Sequence, residues 1–220
     1  MDVPSSVAQA TTWYNIAMVI TYVGGYCFKI SAGDTTLAIN PPSASTKFNV
    51  SKFGADVVFI PTADPTWSGE ETATHGDKEP FIIQSPGAYE VGDMVATGFA
   101  SEGAEGPFGN TIYNFEFDGM RVLLLGALAS PKLSQEVRSN IDEVHIVFVP
   151  LGGGTLDPKE AHELVVSLEP NVIIPYAVNG GDDLKLFLKT AGAHEVKPVE
   201  KFTIRAKEIV EMQGEVVVLQ

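Results

Sequence analysis

The sequence has little cysteine and no long hydrophobic run. One cysteine, Cys27, occurs among 220 residues, which excludes an internal disulfide and a cysteine-rich zinc cluster and favours a reducing environment. No stretch reaches the roughly 18 apolar residues that a membrane helix needs. The first fifteen residues contain Asp2 but no lysine or arginine, so they lack the basic start of a secretory signal. We therefore predict a cytoplasmic protein with no membrane contact.

Positive charge is also scarce. The chain has 14 Lys and Arg against 28 Asp and Glu, and its formal net charge is −14. Such a protein repels a phosphate backbone, which argues against a nucleic-acid partner. Hydrophobic residues make up 45% of the chain, enough to form a complete core.

Strand patterns dominate the first two thirds of the chain. Short runs rich in β-branched and aromatic residues predict strands at 19–23, 26–30, 35–39, 55–59, 81–84, 94–97, 112–117 and 121–125. Asp118-Gly119 separates the last two runs and predicts a tight hairpin.

In the last third, strands alternate with helices. Strands are predicted at 145–149, 172–175, 201–204 and 215–219. A helix is expected after Asp157, with Pro158 at its first position and an apolar stripe that reaches Leu168. A shorter helix is expected from Leu184 to Ala191. Hairpins followed by strand–helix–strand units predict an α+β fold, an αββα sandwich of two facing β-sheets with helices on the outer faces.

Five motifs in order resemble those of a known family. They are "MVITYVGGYCF", "LAINPP", "SPGAYEVGD", "NTIYNFEFDGMRVLLLGA" and "VPLGGGTLDPKEAHELVVSLEPNVIIPYAV". Together they resemble the metallo-β-lactamase fold, in its branch of small zinc-dependent hydrolases. The resemblance runs from about Met18 to Val178. It implies a single domain over residues 18–220, preceded by an N-terminal extension, residues 1–17.

The resemblance also implies where metal ligands would lie. In the family a strand ends in THxHxDH, and this chain has "IPTADPTWSG" there. Thr62 and Asp64 stand in place of the first two histidines, Thr66 in place of the aspartate, and Trp67 in place of the final histidine. Four further family positions with a histidine or an aspartate are occupied by Gly25, Asn40, Ala127 and Ala177.

These replacements argue against the family's chemistry. A catalytic zinc needs about three protein ligands to hold it and to lower the pKa of its bound water. Methyl groups and an indole cannot coordinate zinc, and a threonine hydroxyl is a weak ligand. We therefore predict no catalytic residues and no metal cofactor, although zinc is the cofactor that the resemblance implies. The first hypothesis is a non-catalytic binding or scaffold protein whose partner is an unknown protein or small-molecule ligand.

Two alternatives stay open. A shifted site for Mg²⁺ or Ca²⁺ would use carboxylate oxygens, with Asp64, Glu90, Asp93 and Asp182 as candidate ligands of a hydrolase. The other alternative is a structural role, in which the fold packs into a homo-oligomer and the pocket is closed.

The aromatic residues near the family's metal position raise a separate question. Trp67 and Tyr176 would either fill the old pocket or form an exposed recognition surface. Filling removes apolar area from water, so we predict that Trp67 is largely buried.

Overall fold

The computed structural model describes residues 16–46, 50–104, 108–177 and 181–220, and its strands form two sheets. With strands numbered in chain order, the first sheet contains β1 (Met18–Gly24), β2 (Cys27–Ala32), β3 (Thr35–Ile39), β4 (Val57–Phe59), β5 (Phe81–Ile83) and β12 (Phe202–Ile204). Its order is β12-β1-β2-β3-β4-β5. The strands from β12 to β3 pair antiparallel, whereas β3, β4 and β5 are parallel.

The second sheet faces the first. It contains β6 (Gly87–Val91), β7 (Met94–Ser101), β8 (Asn110–Phe117), β9 (Met120–Leu124), β10 (Ile146–Leu151), β11 (Val172–Ala177) and β13 (Glu215–Val216). Its order is β13-β11-β10-β9-β8-β7-β6. The four strands from β13 to β9 are parallel, and those from β9 to β6 pair antiparallel.

Helices cover the outer faces of both sheets. The helices of the described residues are α1 (Glu70–Ala73), α2 (Gln135–Ser139), α3 (Pro158–Leu168), α4 (Gly181–Thr190) and α5 (Ala206–Ile209). Of these, α5 packs through Ile209 on the core between the sheets. Ala73 of α1 packs on Ala38 and Val58 of the first sheet. Val165 of α3 and Phe187 of α4 lie in the cluster that covers the second sheet. The α+β sandwich predicted from the sequence is confirmed.

The core between the sheets is aromatic. The rings of Phe59 and Phe115 stack with centroids 4.7 Å apart, and Phe28 meets Phe148 edge-on at 4.9 Å. Cys27 lies in the same cluster with no exposed surface. Burial raises the pKa of its thiol to about 12, which makes it a packing residue rather than a nucleophile.

Three local predictions need correction. Residues 87–91, expected from the family motif to form a turn, make the edge strand β6. The last strand is limited to Glu215–Val216, and the second helix begins at Gly181 rather than Leu184. Strand β6 lacked a sequence signal because its residues are exposed or half-buried at a sheet edge, where no apolar alternation is required. The hairpin is as predicted, with positive φ at Asp118 (50°) and Gly119 (70°).

The proposed N-terminal extension lies mostly outside the described residues. Its described end, Ile16, is partly buried against the core between the sheets, just before β1 begins at Met18. Among the helices of the described residues, none has both the length and the apolar character to cross a membrane.

Asn110 connects the two sheets at one end of the sandwich. Its side-chain nitrogen donates to the Leu125 carbonyl at 2.9 Å, and its side-chain oxygen accepts from the Ala127 amide at 2.7 Å. It also forms an isolated bridge with Thr62, in the loop after β4 of the other sheet. Its side chain is 4% exposed, so these bonds are shielded from water. One residue therefore fixes both the turn after β9 and the loop after β4.

We predict that Asn110→Ala lowers the free energy of unfolding by about 2 kcal/mol, because it leaves buried backbone groups of Leu125 and Ala127 unpaired. Urea denaturation measures this change. Asn114→Ala is the matched control, since Asn114 lies on the same strand and makes one exposed bond, to the Asn140 carbonyl. Equal losses in the two variants would contradict the assigned role of Asn110.

Candidate functional site

The family's metal positions lie on loops and strand ends at one end of the sandwich. Gly25 is in the turn between β1 and β2, and Asn40 directly follows β3. Thr62 to Trp67 form the loop after β4, Ala127 follows β9, and Ala177 is the last residue of β11. Contacts of Trp67 with Gly25, and of Asn110 with Thr62 and Ala127, bring these segments together. We call this the aromatic end, because aromatic side chains occupy it.

The loop after β4 is held by a short 3₁₀ turn, Pro65–Trp67. Asp64 is its N-cap: the carboxylate accepts a hydrogen bond from the Thr66 amide at 2.8 Å, and its carbonyl accepts one from the Trp67 amide at 2.9 Å. A proline at the first position suits such a start. The carboxylate of Asp64 therefore has a structural task in this turn, and the turn directs the Trp67 ring inward.

Trp67 packs against Gly25. Its side chain is 4% exposed, which confirms the prediction that it is buried. Gly25 has a φ of +59°, and a methyl group added there would overlap the six-membered part of the indole ring. The ring thus occupies the space that a side chain at position 25 would need. Two of the family's metal positions are in direct contact, and both are shaped by the indole.

Tyr26 and Tyr176 extend this packing. The Tyr26 ring meets Trp67 edge-on at 5.5 Å and Tyr176 at 6.0 Å, and Tyr176 also contacts Phe28 at 5.2 Å. The Tyr176 hydroxyl donates to the Gly126 carbonyl. Edge-to-face pairs of this kind are favourable beyond the area they bury. Trp67, Tyr26 and Tyr176 together form an aromatic plug.

Electrostatics keep the phenols of the plug neutral. Burial raises the pKa of Tyr26 to about 12, and the nearby Asp64 charge adds to the effect. Burial raises the pKa of Tyr176 well above its usual value, with smaller contributions from Tyr26 and Tyr22. Both hydroxyls stay protonated at neutral pH, so Tyr176 remains a donor to Gly126.

Few side chains at this end could offer an electron pair to a metal ion. Thr62 is 4% exposed, and Asp64 and Thr66 are half-buried. Ala127 is buried and Ala177 half-buried, and their methyl groups offer no electron pair to a cation. Three side-chain oxygen donors therefore remain among these positions, besides the amide of Asn40.

Asn40 is a buried polar residue with an unusual backbone conformation. It is 1% exposed, has a φ of +42°, and its backbone amide donates to the Phe59 carbonyl at 2.8 Å. Neither side-chain polar atom of Asn40 has a hydrogen-bond partner within the described residues. A buried amide without partners is costly, and Asn tolerates this positive φ better than most residues.

The alternative carboxylate site is not assembled. Asp93 is in the turn between β6 and β7 and lines a groove with Val57, the first residue of β4, whereas Asp64 follows the end of β4. Glu90 is exposed on the edge strand, and Asp182 pairs with Lys185 at 2.9 Å on the surface of α4. In the part of the chain that the structure describes, no three His, Cys, Asp or Glu side chains are grouped as a metal site.

The sequence did not reveal the bridging role of Asn110 or the side chain that packs on Gly152. Asn110 follows a glycine near a loop, where asparagine is ordinarily a turn residue, and its partners lie 15 and 17 residues away. Gly152 has a φ of +66°, and a methyl group there would overlap the Asp183 carboxylate. A triple glycine signals an unusual backbone, but it does not reveal which side chain packs on it.

Known proteins share this architecture. The model of the beta-lactamase superfamily domain matches residues 19–177. No curated protein sequence matches the chain at a significant level. Similar solved structures include a proposed zinc-dependent hydrolase of the metallo-beta-lactamase superfamily from Thermotoga maritima. It is 25% identical, with a TM-score of 0.72, and the match covers 92% of this chain and 98% of that one.

Two more distant structures share the fold. Igni18, a metallo hydrolase from Ignicoccus hospitalis, is 18% identical with a TM-score of 0.60, and the match covers 86% of this chain and 99% of that chain. The metallo-beta-lactamase fold protein YhfI from Bacillus subtilis is 11% identical with a TM-score of 0.62, over 93% and 96% of the two chains. At these identities the likeness concerns the fold.

We predict that Trp67→Ala lowers the free energy of unfolding by about 3 kcal/mol, because it removes a large buried side chain from a packed cluster. Urea or guanidinium midpoints measure the change. Phe81→Ala is the control, since that aromatic ring is 48% exposed at a sheet edge and should lose much less. A Trp67→Ala loss below about 1 kcal/mol, the size typical of surface substitutions, would contradict the plug.

Gly25 and Trp67 should be energetically coupled. Gly25→Ala adds a steric overlap to the cost of its positive φ, whereas in the Trp67→Ala background only the φ cost of about 1 kcal/mol remains. The double variant should therefore lose less free energy of unfolding than the two single variants together. We expect the difference to be roughly 0.5 to 3 kcal/mol.

Gly33→Ala provides the control for this cycle. Gly33 has a similar φ, +55°, and its nearest neighbour is at an ordinary contact distance of 3.6 Å. Gly33→Ala should cost the same in both backgrounds. Additive losses for Gly25→Ala and Trp67→Ala in denaturation experiments would show that the indole does not exclude a side chain at position 25.

Proposed function

The chain belongs to the beta-lactamase superfamily, whose domain spans residues 19–177, and we propose that it is a member without zinc-dependent hydrolysis that acts by binding a partner. The observation that carries this proposal is the close packing of Trp67 on Gly25. A metal centre needs an open, polar hollow in which ligands converge. Here an indole lies between the segments that would supply those ligands.

The residues present do not fit a dinuclear zinc site. The available donors are Thr62, Asp64 and Thr66, and the Asp64 carboxylate is engaged by the Thr66 amide. Two hydroxyls and one carboxylate are a poor ligand set for zinc, which favours imidazole and thiolate. The methyl groups of Ala127 and Ala177 further support the proposal, since a bridging or terminal ligand at either place would need a polar side chain.

The aromatic plug also explains how the fold tolerates these changes. Replacing several charged ligands by apolar side chains removes repulsion between acids that would otherwise face one another without a cation. Burying an indole instead contributes roughly 2 kcal/mol to stability. The plug thus supports a role in which the aromatic end is a packed part of the core.

The partner class is also part of the proposal. The net charge of −14 disfavours nucleic acid, and the single cysteine agrees with a cytoplasmic setting. We propose a protein or small-molecule ligand, with assembly into a homo-oligomer as the structural alternative. No grouping of carboxylates in the described residues favours the shifted metal hydrolase.

Metal analysis tests the proposed loss of zinc. After dialysis against zinc and removal of free metal, we expect elemental analysis to find far less than one zinc per chain. The Thermotoga maritima relative, described as a proposed zinc-dependent hydrolase, is treated identically for comparison. Assays with a chromogenic β-lactam and a chromogenic phosphodiester should give no rate above buffer in the presence of zinc. Stoichiometric zinc that disappears in Asp64→Asn would contradict the proposal.

A further inference from the structure

A groove lies at the end of the sandwich opposite the aromatic plug. It has a volume of about 880 Å³ and is bordered by the turns between β2 and β3, between β6 and β7, and between β8 and β9. The first residues of β3 and β4 line it, whereas Asn40 and the Trp67 loop follow the last residues of those strands. Five residues of β3 span about 16 Å, so the groove is separate from the aromatic end.

The interior of the groove is apolar. Val57, Met94 and Phe117 line it with 3%, 7% and 8% exposure, which means that they belong to the bottom of the core between the sheets. A volume of this size accommodates a small organic molecule, since ligand cavities usually measure about 300 to 1,000 Å³. An apolar interior favours an aliphatic or aromatic body.

The edge of the groove is acidic. Asp93 and Asp118 lie on two neighbouring turns, and no salt bridge within 4 Å involves either of them among the described residues. Glu116 also borders the groove, but it lies on β8 directly opposite Arg121 of β9. The carboxylate of Asp56 is already neutralised by Lys78 at 2.7 Å and bonded by the Thr36 amide. Two carboxylates without a salt bridge thus border an apolar interior.

Asp118 connects the two parts of the groove. It occupies a position of the hairpin turn with a φ of +50°, and its Oδ2 atom is shielded from solvent without a hydrogen-bond partner in the described residues. Burial raises the pKa of this carboxyl above its usual value. A carboxylate with an unpartnered oxygen gains from a cation placed near the group.

We propose that this groove binds a small organic cation, a primary ammonium group carried on an apolar body. The body would contact Val57, Met94 and Phe117, and the ammonium group would donate to Asp118 with support from Asp93. Charge complementarity between the two carboxylates and an ammonium group selects this class over fatty acids and phosphates. The site is independent of any metal at the aromatic end.

A segment of the chain itself is the competing occupant. Residues 1–15 join the described chain at Ile16, which lines the groove, and they include the aromatic residues Trp13 and Tyr14. The only charged side chain of this segment is Asp2, so its side chains offer no cation to the acidic edge of the groove. The experiment distinguishes the two occupants.

Titration with hexylammonium, followed by ligand-detected NMR at low salt, tests the proposal, with hexanol and hexanoate as neutral and anionic probes of equal length. We expect hexylammonium to bind the full-length protein about tenfold more tightly than hexanol, and hexanoate to bind least. Asp118→Asn should weaken hexylammonium about tenfold, since bonds to charged groups contribute roughly that much. Asn tolerates positive φ, so this variant keeps the hairpin.

Asp182→Asn is the matched control, because the Asp182 carboxylate is 98% exposed on α4. This variant should bind hexylammonium as tightly as the unchanged protein. Equal affinity for hexylammonium and hexanol, or an unchanged affinity in Asp118→Asn, would overturn the proposal. So would a large gain in affinity in the double variant Trp13→Ala, Tyr14→Ala, since that gain would identify residues 1–15 as the native occupant.

Discussion

The contact between the Trp67 indole and Gly25 determines what the aromatic end of this protein can be. The ring lies where any side chain at position 25 would have to be, and Gly25 has a positive φ of 59° in the turn between β1 and β2. Tyr26 follows from the same turn and packs on both Trp67 and Tyr176. Because dense packing leaves few voids, these side chains make the end of the sandwich a continuation of its core.

The two ends of the sandwich therefore differ in chemical character. At the aromatic end, the Tyr176 hydroxyl is paired with Gly126 and the Asn110 amide with Leu125 and Ala127, whereas the buried Asn40 amide has no partner within the described residues. At the groove end, carboxylates on turns surround an apolar interior and Asp118 has an oxygen without a partner. The open, charged surface of this protein therefore lies at the end of the sandwich opposite the loops of the family's metal site.

Sequence reasoning reached the fold and the burial of Trp67 because both depend on local signals. Buried strands such as β10 are continuous apolar runs, and the motif order located the loop after β4. It missed β6, because an exposed edge strand needs no apolar alternation. It gathered Asp64, Glu90, Asp93 and Asp182 into one hypothetical site, although opposite ends of the strands keep Asp64 and Asp93 apart. The groove had no sequence signal either, because its turns are distant in sequence and meet only in the folded chain.

The buried thiol of Cys27 gives the folded protein an unusual relation to oxidants. With no exposed surface and a pKa of about 12, it supplies almost no thiolate, the form that reacts with disulfides and peroxides. The thiol of the native chain, which has no second cysteine, therefore takes little part in thiol–disulfide exchange. When the sheets separate, the same thiol becomes available to join one chain to another through a disulfide. Under oxidising conditions the lifetime of the protein is thus set by how often the sandwich opens rather than by its equilibrium stability.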